Sequence, residues 1–202
     1  ARTVTVEPGV ILSTLNRIVG EYGLQFGPDP ASAERATLGG SIASNATGAH
    51  SILYGMAADH VMEVEVVLSD GTIALFHEKY MNEARRIAEH PSSGVEKSSI
   101  LTNIYRVALN IRENKSEIIH KNWPRTWRCA SGYTINYLLP WAASQPPMWG
   151  WGDRNSVYPY GEYPPVHPGM INLAPLLAGS EGTLAVIRKA KLGLVPKPRK
   201  TV

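Results

Sequence analysis

The chain has 202 residues, 44% hydrophobic and 18% charged, which is enough apolar side chain to bury a core and excludes a wholly disordered or fibrous chain. Twenty basic against 17 acidic residues leave a formal charge of +3, an excess too mild and scattered to indicate nucleic acid or a membrane surface. The single cysteine, Cys129, excludes an intrachain disulfide framework and a cysteine-rich zinc site. No apolar run nears the roughly 18 residues that span a bilayer, no stretch reads as a signal peptide, and the expected location is cytoplasmic.

Alternating strand residues open the chain (Thr3, Val4, Thr5, Val6), and such a strand needs a neighbour to pair with. With the Pro-stiffened exit Leu194-Val195-Pro196-Lys197-Pro198 at the other end, this predicts a piece excised from a larger protein. Val10, Ile11, Leu12, Leu15, Ile18, Val19 and Tyr22 recur at helical spacing between Gly9 and Gly23. Gly27-Pro28-Asp29-Pro30 is a rigid turn, because each proline fixes its own φ and restricts its predecessor. Small side chains then dominate from Ala31 to Gly55.

Strand alternation returns at Glu63–Leu68, and Ser69-Asp70-Gly71-Thr72 carries the Asp-Gly signal of a two-residue hairpin whose return strand runs from Ile73 to Phe76. Met81, Ala84, Ile87 and Ala88 predict a short helix. A longer one is capped by Ser98 or Ser99, buries Ile100, Ile104, Val107, Ala108, Ile111, Ile118 and Ile119, and ends at Pro124. Residues 141–170 are irregular and rich in Trp, Tyr, Pro and Gly. A short helix near Leu173–Ala178 and two strands, Thr183–Ile187 and Ala190–Val195, complete an α+β domain with a mainly antiparallel sheet flanked by helices.

Chemistry is concentrated in two glycine-rich segments. In Pro30–Gly48 the pair Gly39-Gly40 lets backbone approach a ligand closely. If Gly40 to Asn45 begin a helical turn, their N–H groups are free for an anion. Ser32, Thr37, Ser44 and Asn45 add neutral donors. A diphosphate or a flavin edge needs such a set, although a tight surface loop without a ligand has the same composition. Neither the Walker loop nor the Gly-x-Gly-x-x-Gly spacing is present. Ala178-Gly179-Ser180-Glu181-Gly182-Thr183-Leu184 is only loosely like a serine-nucleophile elbow, since it begins with Ala and precedes a strand. Glu181 there either accepts hydrogen bonds from ligand hydroxyls or caps a helix.

None of the six histidines (His50, His60, His77, His90, His120, His167) has a partner at ligand spacing, so no metal site is expected. His50, next to the small-residue loop, is the one to follow. Lys121–Arg128 interleaves cations with Trp123 and Trp127, which suits either stacked bases or a solvated helix end with inward tryptophans.

Seven motifs fall in one order: Pro28-Asp29-Pro30-Ala31-Ser32; Thr37-Leu38-Gly39-Gly40 with Asn45-Ala46-Thr47-Gly48; Tyr54-Gly55; Asp59-His60-Val61; Glu65-Val66-Val67-Leu68 with Asp70-Gly71; Ser131-Gly132-Tyr133; and Gly179–Leu184 before Leu194-Val195-Pro196. In that order, from about Val4 to Pro198, the chain resembles the FAD-binding domain of the vanillyl-alcohol oxidase (PCMH-type) flavoproteins. Within them it is similar to the FAD-linked oxidases of glycolate, D-lactate and related D-2-hydroxy acids.

The resemblance implies that the chain is the second subdomain of such a domain, with FAD as cofactor and a small molecule as substrate of the complete protein. Residues 141–170 are then an insertion. It places Pro30, Ala31, Ser32 and Thr37 beside the flavin and pyrophosphate, and wraps Gly39, Gly40, Ala43, Ser44, Asn45, Ala46 and Gly48 around the diphosphate and ring edge. Asp59 and Val61, joined by Glu181, Gly182, Val186 and Ile187, lie toward the adenosine half. Arg128 is set either to reach a substrate carboxylate or to form a structural ion pair. The N-terminal subdomain with a further pyrophosphate loop and the C-terminal substrate domain are not in these residues. The expected function is the FAD-binding part of an oxidoreductase, inactive in isolation, with no catalytic residue assigned. A non-catalytic interaction or structural module is the alternative.

Overall fold

The computed structural model describes residues 2–89, 99–149 and 162–197. In chain order, β1 (Thr3–Val6) leads to α1 (Leu12–Gly20) and the short β2 (Leu24–Gln25), followed by α2 (Leu38–Ala43) and α3 (Ser51–Tyr54). A 3-10 turn, Ala57–His60, feeds β3 (Val61–Val67), which is joined by a hairpin to β4 (Ile73–Phe76); β5 (Lys79–Tyr80) and α4 (Met81–Glu89) follow. Next come α5 (Ser99–Asn114) and α6 (Ser116–Asn122), then β6 (Met170–Ile171), β7 (Val186–Gly193) and β8 (Val195–Pro196), with 3-10 turns at Ile135–Leu138 and Ala174–Leu177.

Four strands form the main sheet in the order β1-β7-β3-β4, and every neighbouring pair is antiparallel. The expected α+β class therefore holds. Val64, Val66, Ala74, Phe76, Ala190 and Leu192 point to one face and are buried, as a period of two requires for a half-buried sheet. Across the other face Lys191 reaches Glu63 at 2.6 Å and Arg188 reaches Glu65 at 3.3 Å.

Two strands were expected between residues 183 and 195, with a break at Arg188-Lys189. The structure instead has one continuous strand, β7. Its register against β3 shifts between Glu65 and Val66, so Val66 faces Ile187 while Glu65 faces Lys189. Arg188 is the extra residue of a bulge, which interrupts alternation without ending the strand.

The helical expectations are also partly revised. In α1, Leu12, Leu15 and Val19 are buried, while Ile18 and Tyr22 face solvent. The long helix is divided at Lys115 into α5 and α6, and its last turn stops before Pro124. Leu101, Thr102, Tyr105, Ala108, Leu109 and Ile119 make its buried side. Val107 and Ile118 are exposed at 57% and 59%, because the apolar residues there outnumber those that one stripe can hold. Ser98 lies outside the described residues, as does His90.

Leu192 sits at the centre of this packing. It is fully buried and faces Val4 on one side and Val61 on the other. Leu192→Ala should lower unfolding stability by about 3 kcal/mol through lost burial and a residual cavity, read as a lower urea midpoint with an unchanged slope.

Candidate functional site

The first glycine-rich segment is built around the short helix α2. Thr37 caps it, its Oγ1 accepting the Gly40 N–H at 3.2 Å. The Leu38 and Gly39 amides donate to Val10 O and Pro8 O, both at 2.8 Å. A Cβ on Gly39 would come within 2.6 Å of the Pro8 side chain, so this glycine permits a close crossing of two chain segments. Ser41 donates to Thr37 O, Ser44 to Gly40 O, Asn45 to Ile42 O and Ala46 to Ser41 O, and the Gly48 amide donates to Ser51 Oγ. The expectation of free amides from position 40 onward is therefore not met. A six-residue helix with a capped start and a tight exit satisfies its own donors.

The second glycine-rich segment lies directly against the end of α2. Gly179 N donates to Ile42 O at 3.1 Å and Glu181 N to Ala43 O at 3.0 Å, satisfying carbonyls that a helix C-terminus leaves open. Gly179 (φ +83°), Glu181 (φ +51°) and Gly182 (φ +79°) all adopt left-handed backbone. A side chain on Gly179 would meet Gly132 O at 2.5 Å, so the Ser131-Gly132-Tyr133 motif packs here too. The Tyr133 hydroxyl is 2.9 Å from Thr183 Oγ1. Three motifs far apart in sequence thus share one rim, where Gly40, Ser44, Glu181 and Gly182 are exposed.

Beneath the rim is a buried polar floor. Asn45, with φ +46°, is wholly buried. Its Oδ1 accepts the Ala58 amide at 2.9 Å, and its Nδ2 donates toward Met56 Sδ (3.7 Å) and Cys129 O (3.5 Å). Asp59 is buried as well. Its Oδ2 accepts the Met56 amide at 2.7 Å and its Oδ1 accepts the Tyr137 hydroxyl at 2.6 Å, with Tyr163 as a further hydrogen-bond partner. Burial pushes the Asp59 carboxyl up to about 7, against the lowering effect of these donors. His60 is fully buried, with Nε2 2.9 Å from Tyr54 O and Nδ1 3.2 Å from Gly193 O, and desolvation lowers it to about 4. The side chains of Asn45 and Asp59 are therefore turned into the protein, where they hold the rim in place.

Other expected residues are more dispersed. Pro30, Ala31 and Ser32 open the turn that leads to Thr37; Pro30 O accepts the Ala33 amide and Ser32 O the Arg35 and Ala36 amides. Val61 pairs with Leu192, whereas Val186 and Ile187 pair with Val67 and Val66 at the opposite end of the same ladder. At about 3.3 Å per residue that separation is roughly 20 Å. The structure thus brings positions 37–48 and 179–183 together but leaves Val61 buried and remote from Val186.

Three contacts were not legible as pairs. Asp29 grips His50 twice, with Oδ1 accepting its backbone N–H at 3.0 Å and Oδ2 lying 2.5 Å from Nδ1. Gly48 allows this approach, because a Cβ there would overlap the Asp29 backbone. Arg128 reaches Thr47 Oγ1 with Nη2 at 2.6 Å and Nε at 3.2 Å, and among the described residues no carboxylate pairs with it. The third is Tyr133 with Thr183. The sequence singles out His50, after the loop, and Arg128, ahead of Ser131-Gly132-Tyr133, but not their partners.

The basic-aromatic stretch is a helix end: Trp123 and Trp127 are half-buried, and His120 lies 4.2 Å from the Trp141 ring. No group of three or more His, Cys, Asp or Glu among the described residues is placed to hold a metal ion. No described helix is long and apolar enough to cross a membrane.

An exposed rim of glycines and hydroxyls, with the Arg128 cation docked on Thr47 of the same segment, offers close backbone approach and one guanidinium to a flat, anionic nucleotide. Residues 1–76 match the family model described as FAD binding domain. That part of the chain is similar to an FAD binding domain. Over 201 residues it is 29% identical to the D-2-hydroxyglutarate dehydrogenase of Pseudomonas putida, a match covering 100% of this chain and 17% of that protein. The D-2-hydroxyglutarate dehydrogenase of Escherichia coli is 28% identical, over 98% of this chain and 17% of its own length. The glycolate oxidase subunit GlcD of Bacillus subtilis is 44% identical over 71 residues, 35% of this chain and 15% of that protein. The chain thus spans about one sixth of the length of the curated relatives it matches.

The buried carboxyl generates a pH prediction. The Asp59 carboxyl is raised from 3.8 to about 7, so the folded state holds its proton more tightly than the unfolded state. Its contribution to stability is full below the unfolded value and is lost as pH rises toward 7. His60 acts in the opposite sense, its contribution being lost as pH falls from 6.5 toward 4. Comparing wild type with Asp59→Asn, in which His60 is unchanged, isolates the first effect. The wild-type melting temperature should fall relative to that of Asp59→Asn as pH rises from 4 to 8, most of the change coming before pH 7; a difference independent of pH would show that the carboxyl does not titrate in this window.

Proposed function

We propose that this chain is the FAD-holding part, and within it the second subdomain, of a flavoenzyme that oxidises a small 2-hydroxy acid. The observation that carries the reading is the union of 37–48, 131–133 and 179–183 on one rim, through the Gly179 and Glu181 amides on α2 and Tyr133 on Thr183. These are the motifs on which the family resemblance rests, and the relatives are D-2-hydroxyglutarate dehydrogenases and a glycolate oxidase subunit.

When bound, FAD supplies the two-electron acceptor for the hydride on the carbon that bears the substrate hydroxyl. This chain's share is to bind and orient it. Thr37, Gly39, Gly40, Ala43, Ser44, Ala46 and Gly48 form the wall on one side, with Pro30, Ala31 and Ser32 leading into it. Glu181 and Gly182 face them, and Ile187 and Val186 continue that wall along β7. Asn45, Asp59 and Val61 support it from inside. Residues 141–170 are an insertion whose flanks pack on this unit, Met148 N donating to Ile52 O at 2.9 Å. A cytoplasmic location accords with this reading.

The test is made on the full-length protein. It should purify yellow, and one of D-2-hydroxyglutarate, D-lactate or glycolate should bleach the flavin band under anaerobic conditions and yield the matching 2-oxo acid. A colourless protein that takes up no added FAD, or a flavin that none of these acids reduces, would overturn the proposal.

A further inference from the structure

The FAD diphosphate carries two negative charges, and the segment that faces it has little left to donate. The amides of Gly39, Gly40, Ser41, Ser44, Asn45, Ala46 and Gly48 are all hydrogen-bonded within the chain. Compensation must therefore come from side chains. His50 lies on this segment, but Asp29 holds its ring at 2.5 Å and offsets any positive charge there. Arg35 belongs to the approach turn, and among the described residues no side-chain hydrogen bond or ion pair fixes its guanidinium.

Arg128 differs from both. It comes from 81 residues away in sequence and is docked on the segment by two N–H groups converging on Thr47 Oγ1. A neutral hydroxyl orients a guanidinium without cancelling its charge, and three of its five N–H donors are left for another acceptor. The side chain is exposed, and among the described residues it has no carboxylate partner. Cys129 O, on the next residue, accepts from Asn45 Nδ2, so the backbone is tied to the same segment. A planar fork suits phosphate oxygens.

Resting on the FAD reading above, we propose that Arg128 is the cation that neutralises the FAD diphosphate, with Thr47 as its positioning residue. FAD titrations of the full-length apoprotein, followed by flavin fluorescence over a range of salt concentrations, test this. Arg128→Ala should weaken FAD binding by about tenfold to a hundredfold and flatten its salt dependence, with the apoprotein melting temperature unchanged. Arg128→Lys should keep the salt dependence. Thr47→Val should reproduce part of the loss seen in Arg128→Ala while leaving the charge in place.

Unchanged FAD affinity in Arg128→Ala, with a raised KM for the 2-hydroxy acid, would assign Arg128 to the substrate carboxylate and overturn the proposal. Weakened binding accompanied by a lowered apoprotein melting temperature would overturn it as well, because the role would then be structural. Failure of the FAD reading itself has another signature, namely no FAD uptake by the wild type.

Discussion

Two hydrogen bonds at the end of α2 determine the arrangement of the rim. A six-residue helix has no interior long enough to stabilise itself, and although Ile42 O accepts the Asn45 amide, Ala43 O would be orphaned without a partner. The Glu181 amide supplies that partner and the Gly179 amide adds a second donor to Ile42 O, with left-handed backbone at 179, 181 and 182 aiming them. Segments more than 130 residues apart in sequence are thereby fixed edge to edge. The sheet contributes by fixing the start of β7 beside the end of β3, and the antiparallel register leaves no freedom to slide.

Below the rim, polar side chains do what apolar packing alone does not. Asn45 and Asp59 carry nearly all their hydrogen-bonding capacity into the interior and bind backbone amides at 56 and 58. Each is thus a substitute for secondary structure in a stretch too irregular to pair its own amides. The cost is visible in the Asp59 carboxyl, which burial has moved far from its ordinary range. Gly55 belongs to the same arrangement, since a Cβ there would overlap the Asp59 carboxylate.

Much of the fold was legible in sequence because periodicity is a local signal. The hairpin at Asp70-Gly71, the amphipathic α1 and α4, and the α+β order all follow from apolar spacing and turn residues. Failures arose where a long-range contact overrode a local one. The alternation of β7 breaks at Arg188 because β3 accommodates a bulge there, and nothing within residues 183–195 distinguishes a bulge from a turn. Val107 and Ile118 lie outside the buried stripe because the apolar residues there outnumber those that one stripe can hold. For the site, the motifs identified the segments but not the direction of their side chains. Asn45 and Asp59 face inward, a distinction that residue type cannot make. The Arg128–Thr47 and Asp29–His50 contacts depend on tertiary proximity and have no sequence periodicity.

The same accounting changes what a glycine-rich segment means chemically. Gly-Gly followed by a short helix suggests a nest of open amides, yet here the glycines serve crossings: Gly39 over Pro8 and Gly48 over Asp29. A loop that folds by consuming its own donors gains a fixed shape and loses the capacity to neutralise an anion through its backbone. What remains at the surface is shape, hydroxyls and one cation, Arg128, docked by a neutral partner. In the proposed reading, recognition of a flat nucleotide divides by chemistry, the ring matching small, close-packed backbone and the charge matching a side chain delivered from elsewhere in the chain.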